Sequence, residues 1–119
     1  VKRGARRVAR RARKAWRQGN DKDAPEDRRH LWRQREKDRL YAASLLGAAW
    51  PTRRRHGASA RLVKLLGKEH DLALLAQRLE QSPSPGGAEA AALKALRSRR
   101  EQLVKRARRA AEQLHEGRA

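Results

Sequence analysis

Residues 30–41 read HLWRQREKDRLY, and this stretch sets the problem for the whole chain. Wound as a helix, it places His30, Arg33, Lys37 and Tyr41 at i, i+3, i+7 and i+11, a ladder whose rungs lie roughly 5 Å apart along the axis. Only Leu31, Trp32, Leu40 and part of Tyr41 remain to form an apolar stripe, far less than a buried helix ordinarily presents. The segment therefore reads as a helix with one face committed to something other than a core.

On its N-terminal side, DKDAPED (21–27) offers an N-cap at Asp23, a proline at the first turn and acids at Glu26 and Asp27 to meet the positive helix end. The helix is expected from about Ala24 to Ala49. Its charged first half should border solvent or an aqueous channel, while the apolar YAASLLGAAW (41–50) enters the core; Pro51 ends it. Further upstream, ARRVARRARKAWRQ (5–18) aligns Ala5, Val8, Ala9, Ala12 and Trp16 at helical spacing. Arg6, Arg10, Arg13 and Arg17 form a second row, and Arg7, Arg11 and Lys14 a third. No acid occurs between Lys2 and Arg17, so the like charges at i, i+4 cost a few tenths of a kcal/mol per pair unless a ligand or an acidic surface faces them.

Downstream, a third helix is expected over about Arg54 to Leu79. It opens with basic residues, carries Leu62, Leu65, Leu66, Leu72, Leu75 and Leu79 on one broad face, and is interrupted at Gly67. QSPSPGG (81–87) is a flexible connection rich in helix and strand breakers. Leu93, Leu96, Arg100, Leu103, Ala107, Ala110 and Leu114 then keep a 3-4 spacing through a last helix, Ala88 to Leu114, with Arg97, Glu101 and Lys105 as i, i+4 pairs on its outer face. Four helices joined by short turns predict an all-α, antiparallel four-helix bundle, a single domain over 1–119.

The bulk composition agrees. Ala, Leu, Arg, Glu, Gln and Lys dominate, and Phe, Met and Cys are absent. Thirty-two basic against 13 acidic side chains give a net charge of +19, with an isoelectric point near 11.8. A chain so far from neutrality seeks a polyanion. No apolar run approaches the roughly 20 residues that span a bilayer, and no export signal is evident, so the expectation is a soluble protein with no membrane partner.

Few residues here suit catalysis. The sequence has no Gly-rich phosphate loop, no nucleophile elbow and no Ser or Cys beside a base. Asp21, Asp23, Glu26 and Asp27 sit where helix capping needs acids. Of the four histidines, none pairs at the i, i+4 spacing of a zincin, and Glu69, His70 and Asp71 are neighbours that point in different directions on a helix. Taken alone, His70 reads as a structural, hydrogen-bonded histidine. No metal ligand or cofactor is expected. The ladder suits a linear chain of phosphates: Arg grips two oxygens, Lys is a mobile point charge, and Tyr or His adds a further donor. The alternative is a solvated face neutralised by Glu36 or Asp38.

Two stretches resemble one family. HLWRQREKDRLY is similar to the first signature of CHAD domains, the conserved-histidine α-helical family, approximately His-x-x-Arg-Lys-x-x-Lys-x-x-Arg-Tyr. LLGKEHDLALL (65–75) resembles the second, Leu-Gly-x-x-His-Asp-Leu followed by an apolar run. They occur in the family's order, separated by Trp50–Pro51 and preceded by a basic helix. Gln34 departs from a usually basic position, and Arg39–Leu40 reverses the usual order. The resemblance implies a non-catalytic domain that binds inorganic polyphosphate in a basic channel, in the cytoplasm and at polyphosphate granules. Family members usually pair two four-helix bundles; this chain resembles the C-terminal one, so an N-terminal bundle or self-association would complete the channel. The resemblance carries ligand contact to His30, Arg33, Lys37, Tyr41 and His70, with Arg39 beside them in the first motif. Charge and helical phase add Arg6, Arg10, Arg13, Arg17, Arg54, Arg55, Arg61 and Lys64. The competing expectation is a sequence-independent nucleic-acid binder acting on the duplex phosphate backbone, for which charge alone suffices. Three Trp and one Tyr give no aromatic platform for single strands.

Overall fold

A computed structural model describes residues 2–21, 23–50, 56–81 and 88–116. They form four α-helices: α1 (Lys2–Gly19), α2 (Glu26–Leu46), α3 (His56–Gln81) and α4 (Ala88–Glu116), with a 3-10 turn at Gly47–Ala49. Among the described residues there is no strand. α1 packs along α2, α3 packs along α4, and α2 against α3 joins the two pairs into an elongated bundle of 56 × 25 × 21 Å. Of the connection expected at 81–87, Gln81 is the last residue of α3 and 82–87 lie outside the described residues, as do Pro51, Arg54 and Arg55.

All four helices meet in one core. Ala15 and Trp16 of α1, Trp32 of α2, Leu62, Leu65 and Leu66 of α3, and Leu103, Ala107, Ala110, Ala111 and Leu114 of α4 bury against one another. Leu62, Leu66, Leu103 and Leu114 are no more than 1% exposed, and each contributes roughly 1.5–3 kcal/mol of transfer free energy. A smaller cluster, Ala5, Ala43 and Trp50 with Ala42 and Leu46, closes the other end of the α1–α2 pair.

Four local expectations need correction. α2 starts at Glu26, not Ala24. Asp23 does not cap it: Pro25 occupies the N-cap, and the Asp21 carboxylate accepts from the Asp23 backbone N–H at 3.1 Å, tightening the turn instead. Gly67 leaves α3 unbroken. The apolar end of α2 is also not the end that enters the main core; Leu45 is 87% and Tyr41 58% exposed, whereas Trp32, within the charged half, is fully buried.

Gly19 shows why the α1–α2 turn is tight. A Cβ there would lie 3.0 Å from the Arg28 carbonyl oxygen and 3.0 Å from Trp32 Cβ, so any larger residue must push α2 back by a few tenths of an ångström. Gly19→Ala should therefore be destabilising by about 1 kcal/mol, overpacking of roughly 1–3 kcal/mol outweighing the gain of about 1 kcal/mol in helix propensity. A lowered urea midpoint with an unchanged denaturant slope checks this.

Candidate functional site

Two rows on α2 separate core from surface. Arg29, Trp32, Glu36, Arg39 and Ala43, spaced 3, 4, 3 and 4, are buried. His30, Arg33, Lys37 and Tyr41 lie roughly 120° around the helix from them. His30 and Tyr41 are exposed and Arg33 and Lys37 half-buried. Arg33 Nε is shielded from water and has no hydrogen-bond partner among the described residues, so its donor is unspent.

The acids that could neutralise this ladder are engaged elsewhere. Glu36 points into the core, where its Oε2 accepts from Trp32 Nε1 at 2.9 Å and lies 2.6 Å from His115 Nε2. Asp38 lies 3.7 Å from Arg35 on another side of α2. Glu26, one turn before His30, is bridged to Arg100 of α4. The middle of the ladder is thus left with a local excess of positive charge.

At its lower end the two motif histidines meet. The His30 and His70 rings are 5.1 Å apart and tilted by 36°. His70 is therefore a half-buried partner of His30, placed by the α2–α3 contact. They line a cleft of about 420 Å³ shared with Glu26, Asp27, Glu80 and Arg100. Three carboxylates make this end less favourable to an anion than the Arg33–Lys37 stretch. Among the described residues, no three His or acidic side chains come together as metal ligands.

Behind the histidines, Arg100 clamps Glu69, which is 2% exposed: Nε and Nη2 donate to Glu69 Oε1 at 3.2 and 3.0 Å, and Arg29 stands 3.7 Å from the same oxygen. Burial works against the charge on Arg100, but hydrogen bonding to and attraction by Glu69, followed by Glu26, more than reverse this and hold the guanidinium above its ordinary pKa. A raised cation contributes its stability throughout the pH range below its unfolded pKa, so the Arg100 side of the bridge persists at every physiological pH.

The remaining expected site residues divide. Arg6, Arg10, Arg13 and Arg17 are all exposed along α1, roughly 110° around the helix from a buried row of Ala5, Ala12 and Trp16. Arg39 is 5% exposed and belongs to the inward row of α2, so it does not stand on the ladder. Arg61 and Lys64 are exposed on α3, but nine residues separate Arg61 from His70, which places them about 180° apart on the helix. Arg61 is not brought to the histidine cleft.

Sequence reasoning missed two features. Glu36 and His115 form a buried polar pair, with the Trp16 ring stacked on His115 at 4.9 Å. Arg97 and Lys105 of α4, read from the sequence as part of an outer face, line a cleft together with Arg100, Arg108 and Arg29. No helix among the described residues is long and apolar enough to cross a membrane. Compared with known proteins, the chain matches no family model, no curated protein and no solved structure.

Proposed function

We propose that this chain binds inorganic polyphosphate without turning it over, laying the polymer along Arg33, Lys37 and Tyr41 of α2 and the Arg6–Arg10–Arg13–Arg17 row of α1. The observation that carries this reading is the withdrawal of Glu36 from the ladder into the core, with the unspent Arg33 Nε left behind. A linear polyanion offers an oxygen to each donor in turn, and Arg and Lys contacts to phosphate are charge-assisted. The CHAD-like motifs point to the same ligand, with His30 and His70 at the end of the track and the cytoplasm, at polyphosphate granules, as its place of action.

The competing ligand is duplex nucleic acid, which a net charge of +19 would hold through its phosphates. Ionic strength weakens both, so competition is the discriminating experiment. Labelled long-chain polyphosphate is displaced at near-physiological salt by unlabelled polyphosphate, duplex DNA or RNA at equal phosphate concentration. Polyphosphate is expected to compete at least tenfold better, a difference of about 1.4 kcal/mol. Equal competition by all three would reduce the protein to an unselective cationic surface.

A further inference from the structure

Beyond the ladder, a second cleft, of about 520 Å³, opens between α4, the start of α2 and the turn that precedes it. None of the ladder residues lines it. We propose that it is a separate site for a compact inorganic oligophosphate, with Arg97, Lys105 and Arg108 of α4 as the ligand-binding cations.

The charge balance favours an anion. Arg29, Arg97, Arg100, Lys105 and Arg108 bring five positive charges to this space, against three carboxylates. One of the three, Glu69, is already spent on Arg100 and Arg29. The other two, Asp23 and Glu101, make no ion pair with Arg97, Lys105 or Arg108 among the described residues. Arg108 adds a specific vacancy: its Nε is shielded from water and has no hydrogen-bond partner among the described residues. A buried donor without an acceptor is costly, and a phosphate that draws the guanidinium round into the cleft would satisfy it.

Shape and lining narrow the ligand class. Arg97 and Arg108 are eleven residues apart, roughly 16 Å along α4, while Lys105 and Arg108 are one turn apart on the same face. Donors spread over such a length suit two or three linked phosphates better than one. No aromatic ring lines the cleft and Val104 is its apolar residue, so nothing there would stack a nucleobase. The Arg29–Glu69–Arg100 clamp forms one wall and fixes the cleft independently of what occupies the ladder.

The test is isothermal titration of the full chain with sodium tripolyphosphate. Three variants are compared: Arg97→Gln/Lys105→Gln/Arg108→Gln; Arg33→Gln/Lys37→Gln on the ladder; and a charge-matched control, Arg7→Gln/Arg11→Gln/Lys14→Gln on the third row of α1. Glutamine keeps helix propensity, and Arg29 and Arg100 are left in place because they brace Glu69. The α4 variant is expected to lose at least tenfold in tripolyphosphate affinity, and the other two no more than about threefold, with helicity unchanged in all. An α4 variant that binds like the charge-matched control, or a ladder variant that loses as much, would overturn the second site. Long-chain polyphosphate titrated on the same variants separates this outcome from failure of the ladder reading, because only the ladder substitutions should then weaken the long polymer strongly.

Discussion

Replacing Glu36 by Ala should cost about 3–5 kcal/mol of stability, a large share of the roughly 5–15 kcal/mol that holds a domain folded. Glu36 is fully buried, and its Oε2 serves two groups at once, the Trp32 indole N–H and the His115 imidazole. The 2.6 Å separation from Nε2 is hydrogen-bonding distance. Removing the carboxylate takes the partner from both groups inside a layer that also contains Trp16, stacked on His115, and it opens a cavity between α1, α2 and α4. Glu36→Gln, which keeps an acceptor and the shape, should cost less than half as much. Glu36→Leu combined with His115→Phe should recover part of the loss, since it removes two polar partners together and keeps a ring against Trp16, while the Trp32 N–H stays without an acceptor. Urea unfolding followed by circular dichroism gives the midpoints, and Trp16 and Trp32 flank the site as fluorescence reporters. Unchanged midpoints for Glu36→Ala would mean that the cluster contributes nothing to the fold.

The same pair shows where the sequence could be read and where it could not. The helix number and most boundaries follow from the 3-4 spacing of Ala, Leu and Trp, a local property of the chain. The α2 start was misplaced because two devices compete within DKDAPED, and Pro25 with the Asp21 turn wins over Asp23. Leu75 belongs to the apolar face expected of α3, yet it is 45% exposed, as is Leu74 beside it. Helix length explains this: α1, at 18 residues, spans about 27 Å and α4, at 29 residues, about 44 Å, so the α3–α4 hairpin outruns the helices that could cover it. The exposed ladder was legible from its motif and phase. The inward row was not, because Arg29, Glu36 and Arg39 are charged and their partners Glu69 and His115 are distant in sequence. One signal was present: extending Trp32 and Ala43 in heptad steps of 3 and 4 puts 36 and 39 on the seam. The scarcity of apolar residues in HLWRQREKDRLY thus has two causes, an outer face left charged and an inner face built from paired polar groups.

Reversing both central cations of the ladder, Arg33→Glu with Lys37→Glu, should weaken long-chain polyphosphate binding at least a hundredfold at near-physiological salt while far-ultraviolet circular dichroism stays helical. Each reversal removes a charge-assisted contact and adds repulsion against a phosphate that the neighbouring rungs still hold in place. Neither residue belongs to the buried row of α2, so the fold should survive. The neutral pair, Arg33→Gln with Lys37→Gln, makes a finer test through salt. Losing two phosphate contacts on a single-stranded polyanion should flatten the slope of log affinity against log salt concentration by about 1.4. A smaller affinity with an unflattened slope would mean that the two residues act on folding or on the neighbouring helix, not on the polymer. A flattened slope with retained selectivity over duplex DNA would place the discrimination on geometry, because the total charge hardly changes when two of 32 basic residues are neutralised. Selectivity would then come from the rung spacing of α2, which a flexible phosphate chain can follow and a rigid duplex cannot.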